Sequence, residues 1–348
     1  MRIGLAGFPG SGKTTVFNAL TGLSAQTGPG GHSGTNNLGV VKVPDPRLDA
    51  LADLYHPRKR TPTEITFADI AGGGSARGLD RRALNAMREV DALCQVVAAF
   101  DDPLREAPLS PSREVGDLIA ELVLADLELV EGRLTRLHKE GARTPEMTLL
   151  ERVGDCLQAE RPLRALELTD IEHRSLRGYH FLSIKPLLLV VNVNEGLRVG
   201  TATGDPTKDI AEQHGLGSIV MSARIEMEIA QLENEEQREF CEALGLEEPA
   251  RDRFIRDAFS LLDLVSMFTL GNDDCHAWPL RRGTTAPRAA GKVHSDMERG
   301  FIRVEVIPWD VLLKHGSEAR CREVGLLRIE GRSYVIQDGD VVHFRFNV

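Results

Sequence analysis

The sequence predicts an α/β fold interrupted by a helical hairpin and followed by a separate β-rich module. Three observations lead there. Short β-type runs alternate with helical ones from Met1 to about Phe100, a long charged amphipathic stretch follows Ser112, and period-two texture returns beyond Asn272.

Taken in order, the β-type runs are Arg2 to Gly7, Leu38 to Val43, Glu64 to Asp69 and Leu93 to Phe100, with a helical run from Thr14 to Leu20 after the first. From Ser112 to about Arg164, Ile119, Leu122, Val123, Leu127, Val130, Leu134 and Leu137 fall at three- and four-residue steps, which places them on one helical stripe. Gly141 to Pro145 breaks the pattern, and a second helix from Glu146 to Glu160 is expected to fold back on the first. Strand texture resumes at Leu187 to Val193 and Ser218 to Met221, and a helical stretch from Glu226 to about Leu264 closes the domain. In the last segment Ile302, Val304 and Val306 alternate with Arg303 and Glu305, as in a half-buried strand. Asp338-Gly339 between Ser333 to Ile336 and Val341 to Phe346 predicts a hairpin. The expected division is an α/β domain over 1–111 and 165–275, a hairpin insertion over 112–164 and a β module over 276–348.

Composition excludes several classes. At 348 residues, 42% hydrophobic and 27% charged, the chain has apolar mass for one large core or two smaller ones, unlike disordered or collagen-like sequences. A net charge of -10 argues against a polycationic nucleic-acid binder. Residues 277–348 depart from that balance, with 12 basic and 9 acidic side chains against 30 and 43 in the rest, which leaves an RNA- or ribosome-facing role open to this module alongside a plain solvated one. The longest apolar run, Pro186 to Val193, falls far short of the roughly 20 residues that cross a bilayer. With no leader-like N-terminus, the expectation is a cytoplasmic protein without a membrane span. Cys94, Cys156, Cys241, Cys275 and Cys321 form no Cys-x-x-Cys pair, so neither a disulfide framework nor a zinc knuckle is expected. The histidines, His294 and His343 included, have no metal-ligand spacing.

The chemistry begins at Gly7-Phe8-Pro9-Gly10-Ser11-Gly12-Lys13-Thr14, which fits G-x-x-x-x-G-K-[ST] between a short strand and a helix. Glycines allow backbone N–H groups to curl round phosphate oxygens, Lys13 offers a point charge to the β and γ phosphates, and the Thr14 hydroxyl is a ligand for Mg²⁺. Thr15 opens the helix near the α phosphate. Asp69-Ile70-Ala71-Gly72 is a D-x-x-G sequence, in which the Asp69 carboxylate holds the Mg²⁺ shell and the Gly72 N–H reaches the γ phosphate. Between them, the glycine-rich Thr27 to Thr35 lies where a γ-phosphate sensor is expected, with Ser33 or Thr35 as its hydroxyl. Asn192-Val193-Asn194-Glu195 follows a strand where guanine-reading proteins carry Asn-Lys-x-Asp. A glutamate reaches further than an aspartate and the lysine that packs along the base is absent, so guanine selectivity should weaken; Asn194 with nearby backbone is suited to adenine. Ser222-Ala223-Arg224 resembles the Ser-Ala-Lys element that backs the base.

These residues resemble the YchF-type or Obg-like ATPases, a branch of the Obg group of P-loop NTPases. The resemblance runs through Val43-Pro44-Asp45-Pro46-Arg47-Leu48, Gly283 to Pro287, Gly291 to Asp296 and Arg299 to Arg303, and closes with Gln337 to Val348. It implies a P-loop NTPase domain with an inserted α-helical hairpin and a C-terminal β-grasp (TGS-like) domain, a preference for or acceptance of ATP, and association with ribosomes. Three departures stand out. Gly10-Ser11-Gly12-Lys13-Thr14 replaces the family's Asn-Val-Gly-Lys-Ser, removing an asparagine that helps hold a monovalent cation, so potassium stimulation is not expected. The switch segment is replaced by His32 to Gly39, which sets Ser33 opposite the family's metal-binding threonine. Gly73 stands where many GTPases place a water-orienting glutamine and this family a leucine, so intrinsic hydrolysis should be slow.

The expected function is therefore Mg²⁺-dependent binding and slow hydrolysis of ATP or GTP. The nucleotide state would position the hairpin and the C-terminal domain on a ribosome or ribosomal RNA, the protein acting as a monomer with no DNA or membrane partner. Lys13 stabilises phosphoryl charge in this reading, and no general base is assigned. Its rivals are a nucleotide-stabilised scaffold without turnover and a small-molecule P-loop kinase.

Overall fold

The computed structural model describes residues 1–26, 36–71, 79–100, 110–141, 144–194, 206–243, 249–271 and 273–347. Among them the strands are β1 (Arg2–Ala6), β2 (Asn37–Lys42), β3 (Lys59–Thr61), β4 (Glu64–Asp69), β5 (Ala92–Ala99), β6 (Leu187–Val193), β7 (Gly217–Met221), β8 (Leu264–Leu270), β9 (Asp274–Arg281), β10 (Phe301–Pro308), β11 (Arg328–Glu330) and β12 (Asp340–Phe346). They form two six-stranded sheets, ordered β2-β4-β1-β5-β6-β7 and β11-β10-β12-β8-β9-β3. The chain divides accordingly into one unit of Met1–Val41 with Thr66–Phe254 and a second of Lys42–Ile65 with Ile255–Val348.

In the first unit the pairs β1/β4, β1/β5, β5/β6 and β6/β7 are parallel. The strand β6 is Leu-Leu-Leu-Val-Val-Asn-Val and buried throughout, the continuous apolar reading that a parallel strand covered on both faces requires. The insertion is a helix Pro111–Glu140 followed by a helix Pro145–Gln158, close to the expected hairpin. Along the stripe Ile119, Leu122, Val123, Val130 and Leu137 are buried, and Leu127 and Leu134 pack half-buried against the same core. Asp126, on the same helix and fully buried, accepts hydrogen bonds from the backbone N–H groups of Leu182 (2.8 Å) and Ser183 (2.7 Å). The long helix is thereby tied to the segment that leads into β6.

The structure departs from the expectation in four places, beginning with the second unit. That unit begins before 276 and takes in residues 42–65, because β3 pairs with β9 and the helix Pro46–Tyr55 seats Leu48 and Leu51 in its core beside Phe268 and Cys275. Val43-Pro44-Asp45-Pro46-Arg47-Leu48 therefore serves this unit: Asp45 caps the helix, and the Arg47 guanidinium bonds Asp45 and Asp338 and lies 5.5 Å from the Phe268 ring centroid. Secondly, the stretch expected to be helical to about Leu264, most of which belongs to the first unit, contains three helices among its described residues, Ala223–Ile229, Asn234–Ala243 and Ala250–Leu261, and Leu264 opens a strand. Thirdly, a register shift between Phe301 and Arg303 breaks the alternation in β10, so Ile302 is 56% exposed while Val304 and Val306 are buried. Glu305, expected outside, is covered by hydrogen bonds from Arg322 and Arg345. Fourthly, residues 333–336 are no hairpin strand; only Val335 bridges, to Thr285, and β12 pairs instead with β10 antiparallel and β8 parallel. Asp338-Gly339 is still a turn, with Gly339 at φ 89 and the Asp338 carboxylate accepting from the Ser266 N–H.

All five cysteines are buried thiols. His294 caps the short helix Ser295–Arg299, its ring nitrogen accepting from the Asp296 N–H. No described helix is long and apolar enough to cross a membrane.

Candidate nucleotide site

The loop from Gly7 to Gly12 joins β1 to the helix Lys13–Thr21, at the carboxyl end of the first unit's sheet, where open α/β sheets bind ligands. Its glycines are required for two distinct reasons. Gly10 sits at φ 80 with no atom of the described residues within 4 Å of where a Cβ would lie, a conformational demand, whereas Gly12 sits at φ 87 and a Cβ there would lie 2.3 Å from the Asn192 side-chain nitrogen. The helix has no side-chain cap, so its first N–H groups face the loop as an anion-binding terminus.

Lys13 is buried and its ammonium donates to the carbonyls of Gly7 (2.8 Å) and Phe8 (3.2 Å), drawing the loop round its own side chain. Burial pushes the ammonium below its usual pKa, and the carboxylates of Asp69 and Glu114 oppose that shift. Thr14 donates its hydroxyl proton to Asp69 Oδ2 at 2.9 Å. That direction settles the donor chemistry: with the proton spent on Asp69, the Thr14 oxygen keeps its lone pairs for another partner, beside a carboxylate. Hard oxygen donors of this kind suit Mg²⁺ shared with phosphate oxygens.

Asn192, the last polar residue of β6, braces two loops. Its amide donates to the Ser11 carbonyl (3.2 Å), and its oxygen accepts from the Ala223 N–H (3.1 Å). The P-loop and the Ser222-Ala223 turn are thus held through one buried side chain. Val193 ends β6 with its side chain in the core, and Asn194 follows exposed. The hydroxyls of Ser11 and Ser222 are buried without hydrogen-bond partners among the described residues, positions a polar ligand would satisfy. Thr15 lies half-buried in the first helical turn. Ser33, Thr35, Gly72, Gly73 and Glu195 lie outside the described residues.

Three contributors escaped the sequence reading. Asn37, opening β2, donates to Asp69 Oδ2 at 3.2 Å, and Asn36 accepts from the Ala71 N–H at 3.2 Å. Gln95, buried in β5, donates to the Glu114 carbonyl at 2.8 Å, which sets the first turn of the insertion near Lys13. No motif marks these residues; an asparagine pair between a glycine-rich loop and a strand is also ordinary turn chemistry.

Residues 2–125 match a family model described as 50S ribosome-binding GTPase. Residues 264–347 match the YchF GTPase C-terminal model, described as a protein of unknown function. A Bacillus subtilis protein named ribosome-binding ATPase YchF is 39% identical over 362 residues, with 99% of each chain covered. A Pasteurella multocida protein of the same name is 39% identical over 361 residues, covering 100% of this chain and 99% of the relative. Among solved structures, the Schizosaccharomyces pombe YchF GTPase matches with a TM-score of 0.87 at 30% identity, over 99% of this chain and 97% of that one.

Proposed function

The chain belongs to the YchF family of P-loop NTPases, and from that premise we propose that it is a cytoplasmic, monomeric, Mg²⁺-dependent ATPase with slow intrinsic turnover that works on the ribosome. The observation that carries the reading is the meeting of four distant segments at one end of one sheet: Thr14 bonds Asp69, and Asn192 bonds both Ser11 and Ala223. The backbone N–H groups of Gly10 to Thr15 and the Lys13 ammonium bind the phosphates, and Lys13 stabilises charge that develops on the transferred phosphoryl group. Thr14 and Asp69 would hold Mg²⁺, and the sequence motifs assign Ser33 as a further ligand and the Gly72 N–H to the γ phosphate. Mg²⁺, when bound, neutralises charge on the phosphate oxygens. Gly73 offers no side chain to orient water, which keeps the unstimulated rate low.

Asn194 and Glu195 are assigned to the base by their place in the sequence motif, with Ser222 and Ala223 behind it. Asn192 contributes chiefly by bracing, since its oxygen and one of its N–H groups are engaged within the protein. The absence of a lysine at Val193 and the longer Glu195 favour acceptance of adenine. The hairpin over 112–164 and the C-terminal module, read as a TGS-like β-grasp domain, supply the surface for the ribosome or ribosomal RNA. The basic excess of 277–348 supports this assignment.

Calorimetric titration of the protein with ATP and with GTP, each with Mg²⁺, tests the proposal. ATP binding tighter by tenfold or more, about 1.4 kcal/mol, supports it; a GTP preference means Glu195 reads guanine, and binding of neither sinks it. Phosphate release from ATP without an acceptor excludes the kinase alternative. Long incubation without ADP formation, ribosomes present or absent, establishes the scaffold instead.

A further inference from the structure

We propose that Asn37 is a positioning residue for the metal-binding carboxylate, its amide holding Asp69 in the orientation that serves Thr14. The inference rests on the Mg²⁺–nucleotide reading above. Asn37 Nδ2 and Thr14 Oγ1 both donate to Asp69 Oδ2, at 3.2 and 2.9 Å, so two neutral donors from different elements converge on one oxygen. Asn36 adds a second tie, accepting from the Ala71 N–H, and joins the start of β2 to the D-x-x-G turn at the backbone as well.

What this arrangement prevents follows from Lys13, whose charge already feels the Asp69 carboxylate. A carboxylate released to turn toward that ammonium would form an ion pair inside the phosphate site, which an incoming metal–nucleotide would have to break. An amide is suited to holding it: it donates a hydrogen bond to a charged acceptor without adding charge, whereas an aspartate at 37 would repel Asp69 and an alanine or serine would not span the distance.

The test is metal occupancy rather than turnover. Mn²⁺ is titrated into the full-length protein with saturating ADP, free ion being read by electron paramagnetic resonance, for the wild type, Asn37→Ala and Asn37→Ser. Each variant's affinity for ADP in EDTA and its thermal unfolding midpoint are measured alongside. The expected result is a roughly tenfold rise in the Mn²⁺ concentration at half-occupancy in both variants, about 1.4 kcal/mol, with ADP affinity in EDTA unchanged. Wild-type Mn²⁺ affinity in the variants overturns the inference while leaving the Mg²⁺ reading intact. An equal loss of ADP affinity in EDTA also overturns it, because the residue then supports the whole site and not the carboxylate. A wild type that takes up no more Mn²⁺ with ADP than without it refutes the Mg²⁺ reading and this inference with it.

Discussion

Replacing Asn192 by alanine separates a brace from a base contact. In the native protein the side chain is 6% exposed, accepts from the Ala223 N–H at 3.1 Å and donates to the Ser11 carbonyl at 3.2 Å. Truncation strands the buried Ala223 N–H, at roughly 1–3 kcal/mol, and removes one donor from Ser11, at roughly 0.5–1.5 kcal/mol. A loss of about 2–3 kcal/mol corresponds to a fall of roughly 5–10 °C in melting temperature for a unit of this size. Nucleotide affinity should fall with it, because both loops are released together. Asn192→Asp keeps an acceptor for Ala223 but sets a carboxylate oxygen against the Ser11 carbonyl, so it should recover only part of the stability. The assay is thermal unfolding without nucleotide, paired with calorimetric ATP titration. If Asn192→Ala weakens ATP binding at an unchanged melting temperature, the residue is a base contact and the bracing argument is wrong.

Gly12→Ala should weaken ATP binding more than Gly10→Ala, since both pay the left-handed penalty of about 1–2 kcal/mol and only the first also displaces the Asn192 amide, 2.3 Å from its Cβ; equal losses in a titration would contradict this. Arg47→Ala removes bonds to Asp45 and Asp338 and the packing over Phe268, and should destabilise the second unit by roughly 2–3 kcal/mol with ATP affinity unchanged. Urea unfolding with parallel ATP titration checks both halves of that statement. Asp126 gives a pH dependence. Burial holds its carboxyl above the usual range, so the folded state keeps the proton more tightly than the unfolded one. Its stabilising contribution is complete below the unfolded pKa near 4 and is lost as pH rises through the folded value. Asp126→Asn should remove that slope from urea-unfolding free energies measured across the range, and should itself cost about 1–3 kcal/mol because an NH₂ group then faces the N–H of Leu182 or Ser183. An unaltered slope would show that other groups carry it.

Legible in the sequence alone were the glycine-rich loop after β1, the strand that ends at Asp69, the apolar strand that holds Asn192 and the helical hairpin. Each is encoded over a few residues: a backbone at positive φ needs glycine at 10 and 12, and a stripe such as Ile119 to Leu137 is written in three- and four-residue steps. Tertiary structure decided what those segments touch. That Asn37 meets Asp69, or that the Asp45–Arg47 motif serves the second sheet rather than the phosphate site, depends on pairs separated by 32 and 291 residues, which no local pattern specifies. Periodicity failed where the backbone left regular pairing: a register shift after Phe301 turned Ile302 outward, and the partners of β12 proved to be β10 and β8 because pairing there buries Val342 and Phe344. Local conformational demands are legible in a chain, whereas strand partnership is settled by which apolar faces the whole fold can remove from water.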